Sequence, residues 1–311
     1  MNKQLKEILN SQTCNICPRK CNVNRDKNVG FCGANNVMRV SKIMIHMWEE
    51  PFLVNDYCEA KQKVTKKGSG AIFFSSCNLK CIYCQNYEIS TTNCGKSITP
   101  LQLVEIFKDL EKHNVCNINL VTPTHYAKQI IEALRIYKPK IPVIYNTSGY
   151  ENINTIKALK RLIDIFLFDF KYINNDIANE YSNAFNYPEI CKEAILQARK
   201  QIKKDKFKNG IMQKGIIIRY LLLPNTTKDG IKILDFIANK ISKKTYISIL
   251  NQYTPTKPVS THPILSTRPK PIEYKLLVEH AKKLNLKNAY MQDATSATKN
   301  YIPDFSVFCD L

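Results

Sequence analysis

A loop restricts this chain more than any other feature: Cys77, Cys81 and Cys84, at C-x3-C-x2-C spacing, follow directly on the apolar run AIFF at residues 71–74. Gly68 and Gly70 precede the run and Ser75, Ser76 and Asn78 follow it, the composition of a buried strand that ends in a turn. Irregular backbone after such a strand can curl until three sulfurs face one point. Thiolates ligate zinc and iron–sulfur clusters, and both usually take four. Three of them point to a cluster that leaves one iron open for substrate chemistry; the alternative is a zinc knuckle or unliganded thiols.

Composition narrows the setting. The 12 cysteines come with no leader-like apolar core in MNKQLKEILNSQTC and no run of about 18 apolar residues, so metal or redox chemistry in a reducing cytoplasm is expected, not a disulfide framework or a membrane protein. The formal charge of +20 raises the question of nucleic acid. The lysines are spread over every expected helix, however, and no arginine–aromatic patch accompanies them. Solvated helix faces are the simpler account.

A second group, Cys14, Cys17, Cys21 and Cys32, places four cysteines within nineteen residues, with Gly30 and Gly33 to supply turns. It reads as a closed four-thiolate site, compatible with structural zinc or with a second iron–sulfur cluster. Residues 37–54 then alternate in part and are expected to form one or two strands leading into the main domain. Within them, Glu49 and Glu50 before Pro51 read as a solvated turn more readily than as substrate-facing carboxylates, and His46 as a packing histidine. Residues 61–68, KQKVTKKG, read as a polar connector.

From Gly70 onward strand and helix alternate six times. Strands are expected at residues 71–74, 117–123, 142–149, 164–172, 215–224 and 245–255. Helices are expected after Thr99 (an N-cap followed by Pro100), over 126–137, 152–162, 188–206 and 227–241, and from 271 to 284. Apolar strands separated by helices form parallel sheets with right-handed crossovers, and six units are two short of a closed barrel. An α/β partial (β/α)6 barrel is expected, with its working surface at the C-terminal strand ends. Polar residues gather there: Cys77, Thr122, Thr124, Asn146 to Ser148, Asp169, Lys171, Arg219 and Gln252.

The stretches CNICPRKCNVNR, GSGAIFFSSCNLKCIYCQNYEIS, NINLVTPTHY, IPVIYNTSGYE, DIFLFDFKY, IRYLLLPN and ISILNQYTP, in this order over nearly the whole chain, resemble radical S-adenosylmethionine (SAM) proteins of the pyruvate formate-lyase activating-enzyme-like, PflX type. The resemblance implies a [4Fe–4S] cluster on Cys77, Cys81 and Cys84 whose open iron chelates SAM. It also implies reductive cleavage of SAM to a 5'-deoxyadenosyl radical that abstracts hydrogen, and a reductant such as flavodoxin or ferredoxin. Beside the cluster it implies Tyr83, Thr122, Asn146, Ser148, Asp169, Lys171 and Arg219 as cofactor-binding residues, and it assigns no catalytic side chain beyond the cluster. Two stretches depart from the family: Asn146 stands where activating enzymes carry aspartate, and Val121-Thr122-Pro123-Thr124 where many radical SAM enzymes carry Gly-Gly-Glu.

Three regions are expected: a cysteine-rich, metal-binding extension (1–69), the partial barrel (70–287) and a C-terminal tail (288–311) acting as a mobile flap. An open barrel leaves a lateral gap for an extended backbone, so a protein or peptide substrate is expected, as in glycyl-radical activation. Modification of a small metabolite is the alternative, and a zinc-containing RNA-binding protein is the reading from a different class.

Overall fold

Strands buried on both faces satisfy their backbone groups only through neighbouring strands, and the sheet here is built from such strands. The computed structural model describes residues 3–54 and 67–292 together with positions 303, 305 and 308–310. In chain order the elements begin with α1 (Lys3–Asn10), β1 (Met38–His46), β2 (Ser69–Phe74), α2 (Tyr87–Ser90), β3 (Lys96–Ile98) and α3 (Pro100–Lys112). Next come β4 (Ile118–Val121), α4 (Ala127–Ile136), β5 (Val143–Thr147), α5 (Ile153–Ala158), β6 (Ile165–Asp169), α6 (Asn175–Ser182) and α7 (Tyr187–Gln201). The chain continues through β7 (Lys206–Lys208), β8 (Ile211–Leu221), α8 (Thr227–Phe236), β9 (Tyr246–Leu250), α9 (Pro271–Lys283), β10 (Ala289–Met291) and β11 (Cys309–Asp310).

The sheet order is β10-β9-β8-β6-β5-β4-β2-β1-β11, and every pairing from β2 to β10 along it is parallel. It is a mixed α/β fold with a mostly parallel, open sheet, as expected. The register sets residues of neighbouring strands at one height: Val121 pairs with Asn146, and Asp169 with Arg219. No helix among the described residues is long and apolar enough to cross a membrane.

Helix α3 starts as its sequence dictates. Thr99 accepts from the Gln102 amide, the Gln102 side chain accepts from the Thr99 amide, Pro100 opens the helix, and Leu103, Val104, Phe107 and Leu110 are buried. Elsewhere the elements differ from expectation. The single helix expected at 188–206 is preceded by α6, capped by the Asn174 side chain and closed by Asn183 in the left-handed region. Helix α5 stops at Ala158, and strand five is longer because β7 folds back on β8 as a hairpin. The expected tail supplies a seventh parallel strand: β10 pairs with β9 in register Ala289 to Ile247. Residues 61–66 of the expected connector and most of the remaining tail lie outside the described residues.

The segment after β1 forms a floor. Because β1 runs antiparallel to β2, its end at His46 lies opposite Ser69, at the N-terminal edge of the parallel strands. The chain then passes under that edge. The Met212 amide donates to the Phe52 carbonyl (2.8 Å) and Asn117 Nδ2 donates to the Leu53 carbonyl (2.7 Å). Leu53 is fully buried among Ile144, Ile165, Leu167, Met212 and Ile217, and the Phe52 ring meets Tyr246 edge-on at 5.3 Å.

Candidate functional site

Above that floor, at the C-terminal strand ends, lies a cavity of about 450 Å³. Cys77, Cys81, Cys84 and Tyr83 line one wall. Thr122, Asn146, Ser148, Asp169, Lys171, Arg219 and Gln252 line it from the successive strand ends. Thr124 does not: its hydroxyl turns away and donates to Glu151 (2.5 Å).

The loop from Ser75 to Ser90 is held by its own polar groups. Ser76 and Lys80 take left-handed backbone conformations at φ 70° and 57°. The Leu79 amide donates to Cys77 Sγ (3.4 Å), and the Ser90 hydroxyl donates to Cys84 Sγ (3.3 Å). Burial pushes the Cys77 thiol up to about 12, with Cys81 and Cys84 adding to the shift, and burial raises Cys84 as well. Tyr83 is buried against Tyr172, Tyr181 and Tyr253, and its hydroxyl accepts from Tyr172 (2.8 Å).

Charge at the floor of the cavity is arranged around Arg219. Its Nε donates to Asp169 Oδ1 (2.7 Å) and its Nη2 to Asn146 Oδ1 (2.6 Å). Lys171 Nζ donates to the other Asp169 oxygen (2.9 Å). Burial alone would raise Asp169, but Arg219 and Lys171 outweigh it and hold the carboxyl at about 2. Burial likewise opposes charge on Lys171, and Asp169 outweighs it to keep the ammonium form.

Glu49 and Glu50 are not a solvated turn. They rise from the floor into the cavity, with side chains 7% and 4% exposed, 3.8 and 3.9 Å from the Arg219 guanidinium. Asn119 Nδ2 donates to Glu49 Oε1 (2.8 Å), while Glu50 Oε2 has no hydrogen-bond partner. Burial pushes Glu50 up to about 7, against the pull of Arg219 and with the push of Glu49. His46 packs beside them, 3.5 Å from Glu49, and also faces the cavity. A dipeptide Glu-Glu before proline carries no sign of which side it faces; the apolar Phe52, Leu53 and Val54 that follow were the available signal.

Cys14, Cys17, Cys21 and Cys32 do not line this cavity; their segment packs against α4 at Ala127 and α5 at Thr155. Cys14, Cys17 and Cys32 are buried and Cys21 is half-buried. A Cβ on Gly30 would stand 3.3 Å from the Cys21 sulfur, a tight contact, and 3.5 Å from the Cys32 sulfur, so Gly30 lies between the two. Burial pushes Cys17 up to about 12, with Cys14 and Cys32 contributing. Among the described residues, no three His, Cys, Asp or Glu side chains are gathered closely enough to share a single metal ion.

Sequence reasoning also passed over Glu151. It is 1% exposed and receives hydroxyls from Thr124, Thr147 and, at 3.5 Å, Tyr145. Burial pushes it up to about 7, partly offset by those donors.

The family model described as Radical SAM superfamily matches residues 71–237. Uncharacterized protein MJ0674 of Methanocaldococcus jannaschii is 29% identical over 289 residues, covering 90% of this chain and 77% of that protein. Uncharacterized protein MJ0808 of the same organism is 26% identical over 259 residues, covering 76% and 69%. Among solved structures, Streptococcus suis SuiB bound to precursor peptide SuiA superposes with a TM-score of 0.51 at 13% identity, over 71% of this chain and 47% of that one. SuiB bound to S-adenosylmethionine gives 0.50 at 13%, over 70% and 47%. The chain thus spans about half the length of those solved chains, and the likeness to them is one of fold.

Proposed function

Because this chain belongs to the radical SAM superfamily, we propose that it cleaves SAM reductively at a [4Fe–4S] cluster on Cys77, Cys81 and Cys84, in the manner of the PflX-type activating enzymes. The observation that carries the reading is convergence. The three cysteines and every residue that the family resemblance singled out, Tyr83, Thr122, Asn146, Ser148, Asp169, Lys171 and Arg219, line one cavity at one sheet edge.

The residues fit the group. All three thiols line the cavity, and two of the sulfurs already accept hydrogen bonds that thiolate ligands would keep. Ser148 Oγ is buried at the cavity wall without a partner, a donor available to a cofactor. Bound there, cluster and SAM supply one electron, sulfonium cleavage and a 5'-deoxyadenosyl radical.

The chain's own residues bind and orient. The Lys171 ammonium sits beside Asp169 at the strand edge and offers charge to the SAM carboxylate. Arg219, fixed by Asp169 and Asn146, keeps the Asp169 carboxylate ionised and in place. Asn146 takes the position of the family's aspartate and spends its carbonyl oxygen on Arg219.

For the hydrogen donor we favour a protein or peptide. The sheet is open, and SuiB, which shares the fold, is described with a precursor peptide bound. Replacing Cys77, Cys81 or Cys84 with alanine is expected to abolish 5'-deoxyadenosine formation by the dithionite-reduced protein; one such variant with unchanged output would defeat the assignment. The substrate class is read by deuterium transfer into 5'-deoxyadenosine from labelled proteins and peptides. Label arriving only from molecules that pass a low-molecular-weight filter would replace the peptide with a metabolite.

A further inference from the structure

Between α1 and β1 the chain runs from residue 11 to residue 37 with no helix or strand, a length at which structureless segments inside a compact domain are uncommon. Its apolar packing is limited: Cys14 and Ile16 cluster with Ala127, Cys21 and Val23 lie beside them, and Cys32 and Ala34 join the main core. Yet three of its four cysteines are buried and its turns are specific, with Lys20, Asn22 and Gly33 in left-handed conformations. Four thiols turned inward on such a segment are the arrangement that a metal–thiolate centre organises.

A second observation points to negative charge at these sulfurs. Arg25 is 7% exposed, and among the described residues its partners are the His125 and Asn35 carbonyls and the Tyr126 ring, with no carboxylate. Its Nε has no partner at all. A buried, uncompensated guanidinium is costly unless an anion stands near it. Cys14 lines the same cavity as Arg25, and a thiolate-ligated centre there would supply the negative charge.

A third observation joins the two cysteine groups. Arg19, two residues from both Cys17 and Cys21, reaches across to the other loop. Its Nε donates to the Asn78 carbonyl (3.0 Å) and its Nη2 to the Leu79 carbonyl (3.3 Å), the two residues after Cys77. The same guanidinium donates to the Ser182 carbonyl (3.0 Å) at the end of α6 and lies over the Phe31 and Tyr150 rings at 4.0 and 5.0 Å. Arg19 thus links the two cysteine-bearing segments.

We propose that Cys14, Cys17, Cys21 and Cys32 hold a second iron–sulfur cluster, and that it relays electrons to the cluster on the loop at 77–84. A cluster rather than a single zinc ion is assigned because Arg19 ties this segment to the cysteine loop at 77–84, where one-electron chemistry is proposed. The relay moves one electron and no atom: a flavodoxin or ferredoxin is oxidised by one electron and the N-terminal cluster reduced. That cluster is reoxidised as the loop cluster is reduced, and sulfonium cleavage consumes the electron. The relay rests on the function proposed above; the presence of the second cluster does not.

Metal and acid-labile sulfide analysis of anaerobically reconstituted protein separates the two. Wild type is expected to hold about eight irons per chain, and C77A/C81A/C84A about four, with a reducible signal in electron paramagnetic resonance. Adding C14A and C17A to that triple variant is expected to remove the rest, with circular dichroism confirming that the chain is folded. Zinc in place of iron in the triple variant, or folded wild type with only about four irons, overturns the second cluster. An unchanged iron count in the triple variant overturns the loop assignment instead. For the relay, wild type mixed with reduced flavodoxin and freeze-quenched should show the N-terminal signal before the loop signal. Equal loop reduction rates with and without Cys17 and Cys21 would overturn it.

Discussion

Thr122 is a β-branched residue at φ 58°, where its Cβ crowds the backbone, and it lines the cavity beside Asn146, whose carbonyl accepts its amide. Thr122→Gly removes that crowding and is expected to raise stability by roughly 1 kcal/mol in urea unfolding. A drop would mean that the threonine side chain holds its place by contacts worth more than the strain. Glu151 makes a different prediction, about pH. Its folded value of about 7 lies above the unfolded 4.5, so between these values the folded state binds more protons than the unfolded state. Stability therefore falls as pH rises through that window, by up to roughly 3 kcal/mol at about 1.4 kcal/mol per unit. Glu151→Gln keeps an acceptor for Thr124 and Thr147 and should lose this group's share of the slope. Equal pH dependence of the melting temperature in both proteins between pH 4.5 and 7 would show that the carboxyl is not held neutral.

The floor segment makes the prediction at the scale of elements. Leu53 is fully buried among side chains from β5, β6 and β8, so Leu53→Ala should cost roughly 2–5 kcal/mol and loosen the strand bases. A cost under about 1 kcal/mol would mean that the segment merely rests against the sheet. Such a floor was barely legible in the sequence, because apart from the apolar Phe52, Leu53 and Val54 nothing local distinguishes a turn in water from a turn beneath a barrel. Helix α3 was fully legible, since Thr99, Pro100 and Gln102 carry its start and four spaced apolar residues carry its face. Helix α6 was missed because NDIANEYS is mostly polar; its Asn174 cap was the usable sign. Strand β10 has three residues and exists only because β9 offers it an edge, a tertiary cause that no window of sequence contains. The site was largely legible because its cysteines and strand-end polar residues each follow an apolar run. Glu49, Glu50 and Glu151 were not, their burial being set by residues far away in the chain.

At the scale of the molecule, the regular sheet and the irregular N-terminal segment draw on different sources of stability. Ladders and apolar layers hold the barrel, whereas the proposed centre holds residues 11–37. Anaerobic removal of iron should therefore raise amide exchange in residues 14–36 by at least about tenfold while α3 and β4 to β6 stay protected. Uniform loss of protection would show one cooperative unit, and no change would show a segment that orders itself. Arg19 adds a constraint of another kind. Its guanidinium is seated on carbonyls from the loop after Cys77 and from the close of α6, so the N-terminal segment is keyed to this barrel and is no detachable module. Chimaeras that join the first 36 residues of one relative to the barrel of another should then assemble only when an arginine at 19 meets a matching α6 terminus, making the two regions a single unit of inheritance.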